Sequence, residues 1–438
     1  MADSGVGRPR FDHSFQAAPT RLYQSTKGCG DCSVSRSAFS FLVNPHRTPA
    51  EPFPFHAEFP PRGGAAALAA LSACPRYAPT PLISLPGAAQ RSGVAEVRYK
   101  DESGRFGLGS FKALGGAYAV ARLLAEEVSR ALGRPVGLAE LARGEHAELT
   151  RRLTVVCASD GNHGRAVAAG AKVFRTRAVI YFHEGVSDGR EAAVRTLGAE
   201  VVRTKGVYDE SVRLAGEAAV REGWLVVSDT AAEPAGETAG VPLMVMEGYR
   251  VLVMEALDQL RAAGRPPPTH LFLQSGVGGL AAAVTAHLWS EFGADRPKVV
   301  VVEPTRADCL MRSAAAGQPV AVEGDLQTLM AGLACGEVSR VAWPVLKAGA
   351  EAFMAIDDLA AVDAMQALAE GGLGAEPIVA GESGVAGLAG LLALPLGGAE
   401  WLSLGLGPSS RVLVVGTEGA TDPDIYHALV GRRVAAVG

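Results

Sequence analysis

The chain has no run long and apolar enough to cross a bilayer. Its longest apolar stretch, Gly384 to Ala399, holds about sixteen residues interrupted by five glycines and Pro395, short of the roughly twenty that a spanning helix needs. It has no basic cluster either. Lys and Arg number 41 against 46 Asp and Glu, a net charge of −5, so there is no electrostatic footprint for nucleic acid. Met1 to Arg36 is polar and Gly/Ser-rich and lacks a hydrophobic signal core, which makes the cytoplasm the expected compartment. Cysteine is scarce, with six residues at 29, 32, 74, 157, 309 and 335. Cys29 and Cys32 have the two-residue spacing of a metal or redox pair, but no second pair lies nearby and no strand–helix–strand pattern surrounds them. No metal is expected there, and reduced thiols are the cytosolic expectation for the others. No short-period repeat is visible.

What is present reads as a two-domain α/β enzyme. A chain of 438 residues, 48% hydrophobic and 20% charged, is long for one domain and ordinary in composition for a globular one. Residues 1–38 read as an N-terminal extension. A helix is expected near Gly64 to Ala73, a strand at Val94 to Tyr99, and a charged surface insertion at Arg134 to Thr150. Segments then alternate between strand and helix: Val179 to Phe182, Glu191 to Leu197, Glu200 to Arg203, Ser211 to Glu222 and Leu225 to Ser228. That rhythm implies a parallel sheet with helices on both faces. Three prolines, Pro266 to Pro268, break the chain before the next strand.

The most informative stretch is Tyr99 to Val120. It carries Lys112 between Ser110-Phe111 and a Gly-rich amphipathic helix start, with no acidic residue within five positions on either side. Desolvation and a helix N-terminus both disfavour an ammonium, so the sequence predicts a lowered pKa and a nucleophilic amine. An amine of that kind forms Schiff bases with aldehyde cofactors. In isolation, a surface lysine at a helix start fits the same residues.

Three further segments supply what such a lysine needs. Thr154 to Cys157 is β-prone and leads through Ser159-Asp160-Gly161-Asn162-His163-Gly164 into an Ala-rich helix, an arrangement that points backbone N–H groups at an anion. Thr269 to Gln274 leads through Gly276-Val277-Gly278-Gly279 into another helix, where glycines let the backbone approach a phosphate. Arg411 to Asp422 is a late buried strand ending in small and polar residues.

In this chain order, the segments resemble the fold type II family of pyridoxal-phosphate enzymes. Within it the detailed strings are most similar to the diaminopropionate ammonia-lyases. The similar strings are Lys100 to Gly116, Asp160 ahead of Gly161-Asn162-His163-Gly164, Ser228-Asp229-Thr230-Ala231, Met246-Glu247-Gly248-Tyr249, Val302-Glu303-Pro304, Met330 to Glu337, Gly381-Glu382-Ser383-Gly384 and Thr417-Glu418-Gly419. They span roughly residues 40 to 430. The resemblance implies two doubly wound α/β domains, a large one of residues 39–112 and 229–438 and a small one of residues 113–228. Pyridoxal 5'-phosphate would lie in the cleft between them, and the enzyme would be a homodimer.

The resemblance also assigns roles. Lys112 forms the Schiff base, with Phe111 beside it, and Gly276, Val277, Gly278 and Gly279 cradle the cofactor phosphate. Asn162 bonds the ring hydroxyl, and the backbone around Ser159, Asp160, Gly161 and His163 holds the substrate carboxylate. The family's usual serine for the ring nitrogen falls at Gly416, so Thr417 or a water takes over. Lys112 and Asp160 are placed as α-proton bases on opposite faces of the cofactor. Asp229 offers a carboxylate to a β-ammonium, although Asp-Thr-Ala-Ala-Glu also fits a helix N-cap. The expected reaction is elimination from D- or L-2,3-diaminopropionate, giving pyruvate and two ammonia. Its rivals are a serine or threonine dehydratase, a β-replacement synthase, and, from another class, a nucleotide-binding module.

Overall fold

The computed structural model describes residues 39–48, 52–206, 208–231, 240–374 and 376–434. The extension at 1–38, with Cys29 and Cys32, lies outside them. Among the described residues no helix is long and apolar enough to cross a membrane.

The strands run in chain order as β1 (Phe39–Val43), β2 (Leu82–Ser84), β3 (Glu96–Asp101), β4 (Thr154–Ala158), β5 (Arg177–His183), β6 (Glu200–Thr204), β7 (Leu225–Val226), β8 (His270–Gln274), β9 (Lys298–Pro304), β10 (Ala352–Ile356) and β11 (Arg411–Gly416). They form a seven-stranded sheet ordered β1-β10-β9-β8-β11-β3-β2 and a four-stranded sheet ordered β6-β5-β4-β7. The small sheet is parallel throughout. The large one is parallel at its centre, with β1 and β2 antiparallel at its two edges. Central strands such as β8 and β10 are buried at every position, as expected for strands covered on both faces.

The alternating segments predicted between 179 and 228 appear as β5, the helix Asp188–Thr196, β6, the helix Tyr208–Glu222 and β7. The helix predicted near Gly64 is Pro61–Ser72. The late strand β11 inserts between β8 and β3, at the middle of the large sheet.

Helix Lys112–Leu132 begins at Lys112 and packs on helix Gly240–Ala262. Their approach is close enough that a Cβ at Gly248 would stand 2.4 Å from the Leu114 carbonyl. A side chain there would separate the two helices. That crossing sets Tyr249 beside Phe111, with ring centroids 4.7 Å apart.

The turn from β3 to Lys112 is fixed by a buried ionic cluster. Lys100 Nζ donates to Glu255 Oε2 at 2.8 Å, to the Thr80 carbonyl at 2.7 Å and to Gln259 Oε1 at 3.0 Å. Arg105 forks between Glu102 and Glu255 at 2.7–2.8 Å. Lys100, Glu102 and Arg105 are at most 1% exposed, and nearly every donor has a partner. That is the condition under which buried charge is tolerated.

Candidate active site

The site lies at the carboxyl ends of β3, β4, β7, β8 and β11, where parallel sheets present their ligands. One cleft is lined by Phe111, Lys112, Ser159 to His163, Asp229, Tyr249, Ser275 to Gly279, Thr417 and Glu418. Every residue assigned a role from the sequence therefore meets in one place.

Lys112 Nζ lies 2.5 Å from Asp229 Oδ2 and 5.6 and 5.9 Å from the ring centres of Phe111 and Tyr249. Here the expectation of a lowered pKa is corrected. Burial works against the ammonium, but the Asp229 carboxylate, helped by Tyr249 and Cys335, outweighs it and holds the lysine above its usual range. Asp229 shows the converse. Burial favours its neutral form, yet Lys112 and His163 keep its carboxyl well below the usual range. The decisive partner lies 117 residues away, which a scan of sequence neighbours cannot find. Asp229 uses its carboxylate on Lys112; the segment it would cap in the N-cap reading runs into residues 232–239, outside the described residues.

The turn after β4 is organised by Ser159, whose Oγ accepts from the N–H groups of Gly161 (3.0 Å) and Gly164 (2.8 Å). Ser159 N–H itself donates to the Tyr181 carbonyl. These N–H groups are engaged within the protein, which leaves the N–H group of Asp160 and the first-turn N–H groups of Asn162 and His163, which have no intrahelical acceptor, for an anion. Asn162 Nδ2 donates to the Glu418 carboxylate. His163 Nε2 donates to the Val227 carbonyl at 2.8 Å, while its buried Nδ1 has no hydrogen-bond partner and faces Asp229 Oδ2 at 3.8 Å. Asp160 Oδ1 is held by His183 Nε2 at 2.9 Å.

The turn from β8 to helix Gly279–Phe292 fits a phosphate on two observations. Gly278 sits at φ +102°, a conformation that side chains rarely adopt. The Ser275 hydroxyl is buried in the cleft without a hydrogen-bond partner, a group that an incoming phosphate oxygen would satisfy. Sequence reasoning passed over Ser275 because attention fell on the glycines; its place between a buried strand and a Gly-rich turn was the available signal. The helix dipole adds attraction for negative charge.

At the end of β11, a Cβ on Gly416 would stand 1.9 Å from the Tyr99 hydroxyl. The Tyr99 ring fills the space a serine would need, which accounts for the departure from the family pattern. Thr417 Oγ1 accepts from Gln274 Nε2 at 2.8 Å, leaving its own O–H free to donate to a ring nitrogen. The lysine loop is laced to this strand end by Phe111 N–H to the Thr417 carbonyl (2.9 Å) and Gly419 N–H to the Gly109 carbonyl (3.0 Å).

Five residues near the cleft, Arg190, Glu418, Glu303, Cys309 and Cys335, had no assigned part. Arg190 donates to the Asp160 carbonyl and to Glu382, each at 3.1 Å, tying the small-sheet side to the large-sheet side. Glu418 also accepts from Ser383 N–H. Glu303 caps helix Cys309–Ala316 by accepting the Leu310 and Met311 N–H groups at 2.8 Å. Cys309 and Cys335 are both free thiols. Cys309 Sγ lies 3.7 Å from Glu303 Oε1, and burial pushes the Cys335 thiol up to about 12.

Comparison with known proteins agrees with this geometry. Residues 74–417 match the family model described as pyridoxal-phosphate dependent enzyme. The diaminopropionate ammonia-lyase of Salmonella typhimurium is 40% identical over 363 residues, covering 81% of this chain and 89% of that one. The crystal structure of Escherichia coli diaminopropionate ammonia lyase in complex with D-serine superposes with a TM-score of 0.80 at 35% identity, covering 90% of this chain and 97% of that one. The same enzyme in complex with an aminoacrylate-PLP azomethine reaction intermediate also gives 0.80 at 35% identity, covering 92% and 99%. With its fold type II architecture, the chain belongs to the family of pyridoxal-phosphate-dependent enzymes.

Proposed function

We propose that the protein eliminates the β-amino group of 2,3-diaminopropionate, consuming one water and giving pyruvate and two ammonia. The observation that carries this reading is the Lys112–Asp229 pair. A carboxylate in the cleft already holds an ammonium at 2.5 Å, and diaminopropionate brings a β-ammonium where serine brings a neutral hydroxyl. Relatives named diaminopropionate ammonia-lyase, matched along most of their length, support the same substrate.

Pyridoxal phosphate, when bound, supplies the aldehyde that captures an amine and the ring that draws electrons from the α-carbon. The chain's own residues do the rest. Ser275 and the turn Gly276 to Gly279 hold the phosphate, and Asn162 and Thr417 bond the ring hydroxyl and nitrogen. The N–H groups of Asn162 and His163 hold the α-carboxylate. Asp229 pairs with the β-ammonium and orients it for departure. The Lys112 amine takes the α-proton of one enantiomer and Asp160 takes it from the other, since that proton points to opposite faces. Freed aminoacrylate then hydrolyses to pyruvate and the second ammonia. Residues 113–228 move as the smaller domain and close the cleft against water, and the enzyme works as a homodimer in the cytoplasm.

The test is product stoichiometry with both enantiomers of diaminopropionate and of serine. Two ammonia per pyruvate, with diaminopropionate turned over far faster than serine, is the expected result. One ammonia per pyruvate from a preferred serine would assign the chain to the dehydratases.

A further inference from the structure

β5 ends at His183, whose ring stands against the Asp160 carboxylate, Nε2 to Oδ1 at 2.9 Å. The other ring nitrogen, Nδ1, accepts the backbone N–H of Gly185 at 3.1 Å. A nitrogen that accepts carries no proton in neutral imidazole, so the proton lies on Nε2 and is donated to Asp160. The main chain thus fixes the tautomer that presents a donor to this carboxylate.

We propose that His183 is the positioning residue for Asp160: it occupies Oδ1, fixes the plane of the carboxylate, and leaves Oδ2 to receive the α-proton. The proposal rests on the reading of Asp160 as the base for one enantiomer. Arg190 supports the same residue from the main chain, with Nη1 on the Asp160 carbonyl and Nη2 on Glu382. Arg203 steadies His183 by donating to its carbonyl at 3.3 Å. Tyr208 and Cys335, from other segments, face the same site and are held neutral by burial, with the Asp160 carboxylate adding to the rise in their pKa values. Lys112 and Asp229 line the same cleft and neutralise each other. His183 is therefore the side chain bonded to the Asp160 carboxylate, and its half-buried ring, 23% exposed, keeps that bond from being dissolved by water.

The experiment uses the holoenzyme and its variants His183→Leu, His183→Gln and Asp160→Asn, with kcat/KM measured against pH for D- and L-diaminopropionate. Cofactor content, read from visible absorbance, reports folding. His183→Leu should lower turnover of the Asp160-dependent enantiomer about tenfold, the scale of a hydrogen bond to a charged group. The other enantiomer should change far less. His183→Gln, which offers an amide N–H near the position of Nε2, should recover the rate. Equal losses on both enantiomers in His183→Leu, or no recovery in His183→Gln, would overturn the proposal while leaving Asp160 as a base if Asp160→Asn remains enantioselective. An Asp160→Asn that lowers both enantiomers equally would remove the underlying reading, and this proposal with it.

Discussion

Two lysines twelve residues apart, Lys100 and Lys112, meet carboxylates in opposite ways. Lys100 is fully buried and has three acceptors, Glu255, Gln259 and the Thr80 carbonyl. Burial lowers its pKa, and Glu255 and Glu102 only partly restore it. Lys112 is 23% exposed toward the cleft and has one carboxylate, Asp229, whose pull outweighs burial. The first lysine is saturated and locked. The second holds a single partner that can be exchanged, as the proposed Schiff-base role requires. Chemistry is assigned to the ion pair with an unfilled hydrogen-bonding shell, while the filled one holds the turn that carries it.

The comparison is most directly broken at Lys112. Lys112→Ala should lower turnover by about 10⁴-fold, the upper end for a lost proton-transfer group, and borohydride should no longer fix cofactor to the chain. Cofactor still fixed to this variant would move the reactive amine elsewhere. Lys100→Met should act on stability instead, by about 3–5 kcal/mol for a broken buried pair, while borohydride-fixed cofactor persists in the folded fraction. Thermal unfolding alongside cofactor content reads both, and loss of linkage without loss of stability would erase the distinction. Gly278→Asp places a Cβ at φ +102° and a like charge beside the phosphate, so cofactor affinity should weaken about 100-fold with the fold retained. Undiminished affinity in a titration would shift the phosphate site. The mildest change, Asp229→Asn, keeps shape and removes charge. Diaminopropionate turnover should fall by roughly 1.5–3 kcal/mol of lost pairing, with serine turnover much less affected. Equal falls on both substrates would confine Asp229 to holding Lys112.

The glycine turns, the lysine and the strand–helix rhythm were readable because each is a local pattern with a local cause. Gly276 to Gly279 follow a buried strand and open a helix, and no distant residue is needed to see that. The pairings that give the site its electrostatics were not readable. Asp229 reaches Lys112 from β7, Glu418 reaches Asn162 from β11, and His183 reaches Asp160 from β5, each across loops that only the fold brings together. The error over Lys112 has this origin: proximity along the chain stood in for proximity in space. Lys100, Glu102 and Arg105 sat inside the most informative string without a role, because alternating charges look like a solvated turn until Glu255 is brought beneath them. Ser275 and the Tyr99 ring behind Gly416 were hidden for a simpler reason: a serine just after a strand and a tyrosine within one are unremarkable until the space around them is known.

The lacing of the lysine loop to β11 has a consequence for the order of assembly. β3 and β8 can emerge from the ribosome and fold against their own helices, but between them a strand-wide gap stays open until residues 411–416 arrive. Throughout synthesis the two strands that flank this gap expose unpaired backbone, the condition that favours chaperone capture or aggregation. Only when Thr417 and Gly419 exit can they clasp Phe111 and Gly109 and set Lys112 at the cleft. A chain that stops short of Thr417 therefore lacks both clasps on the loop that carries Lys112.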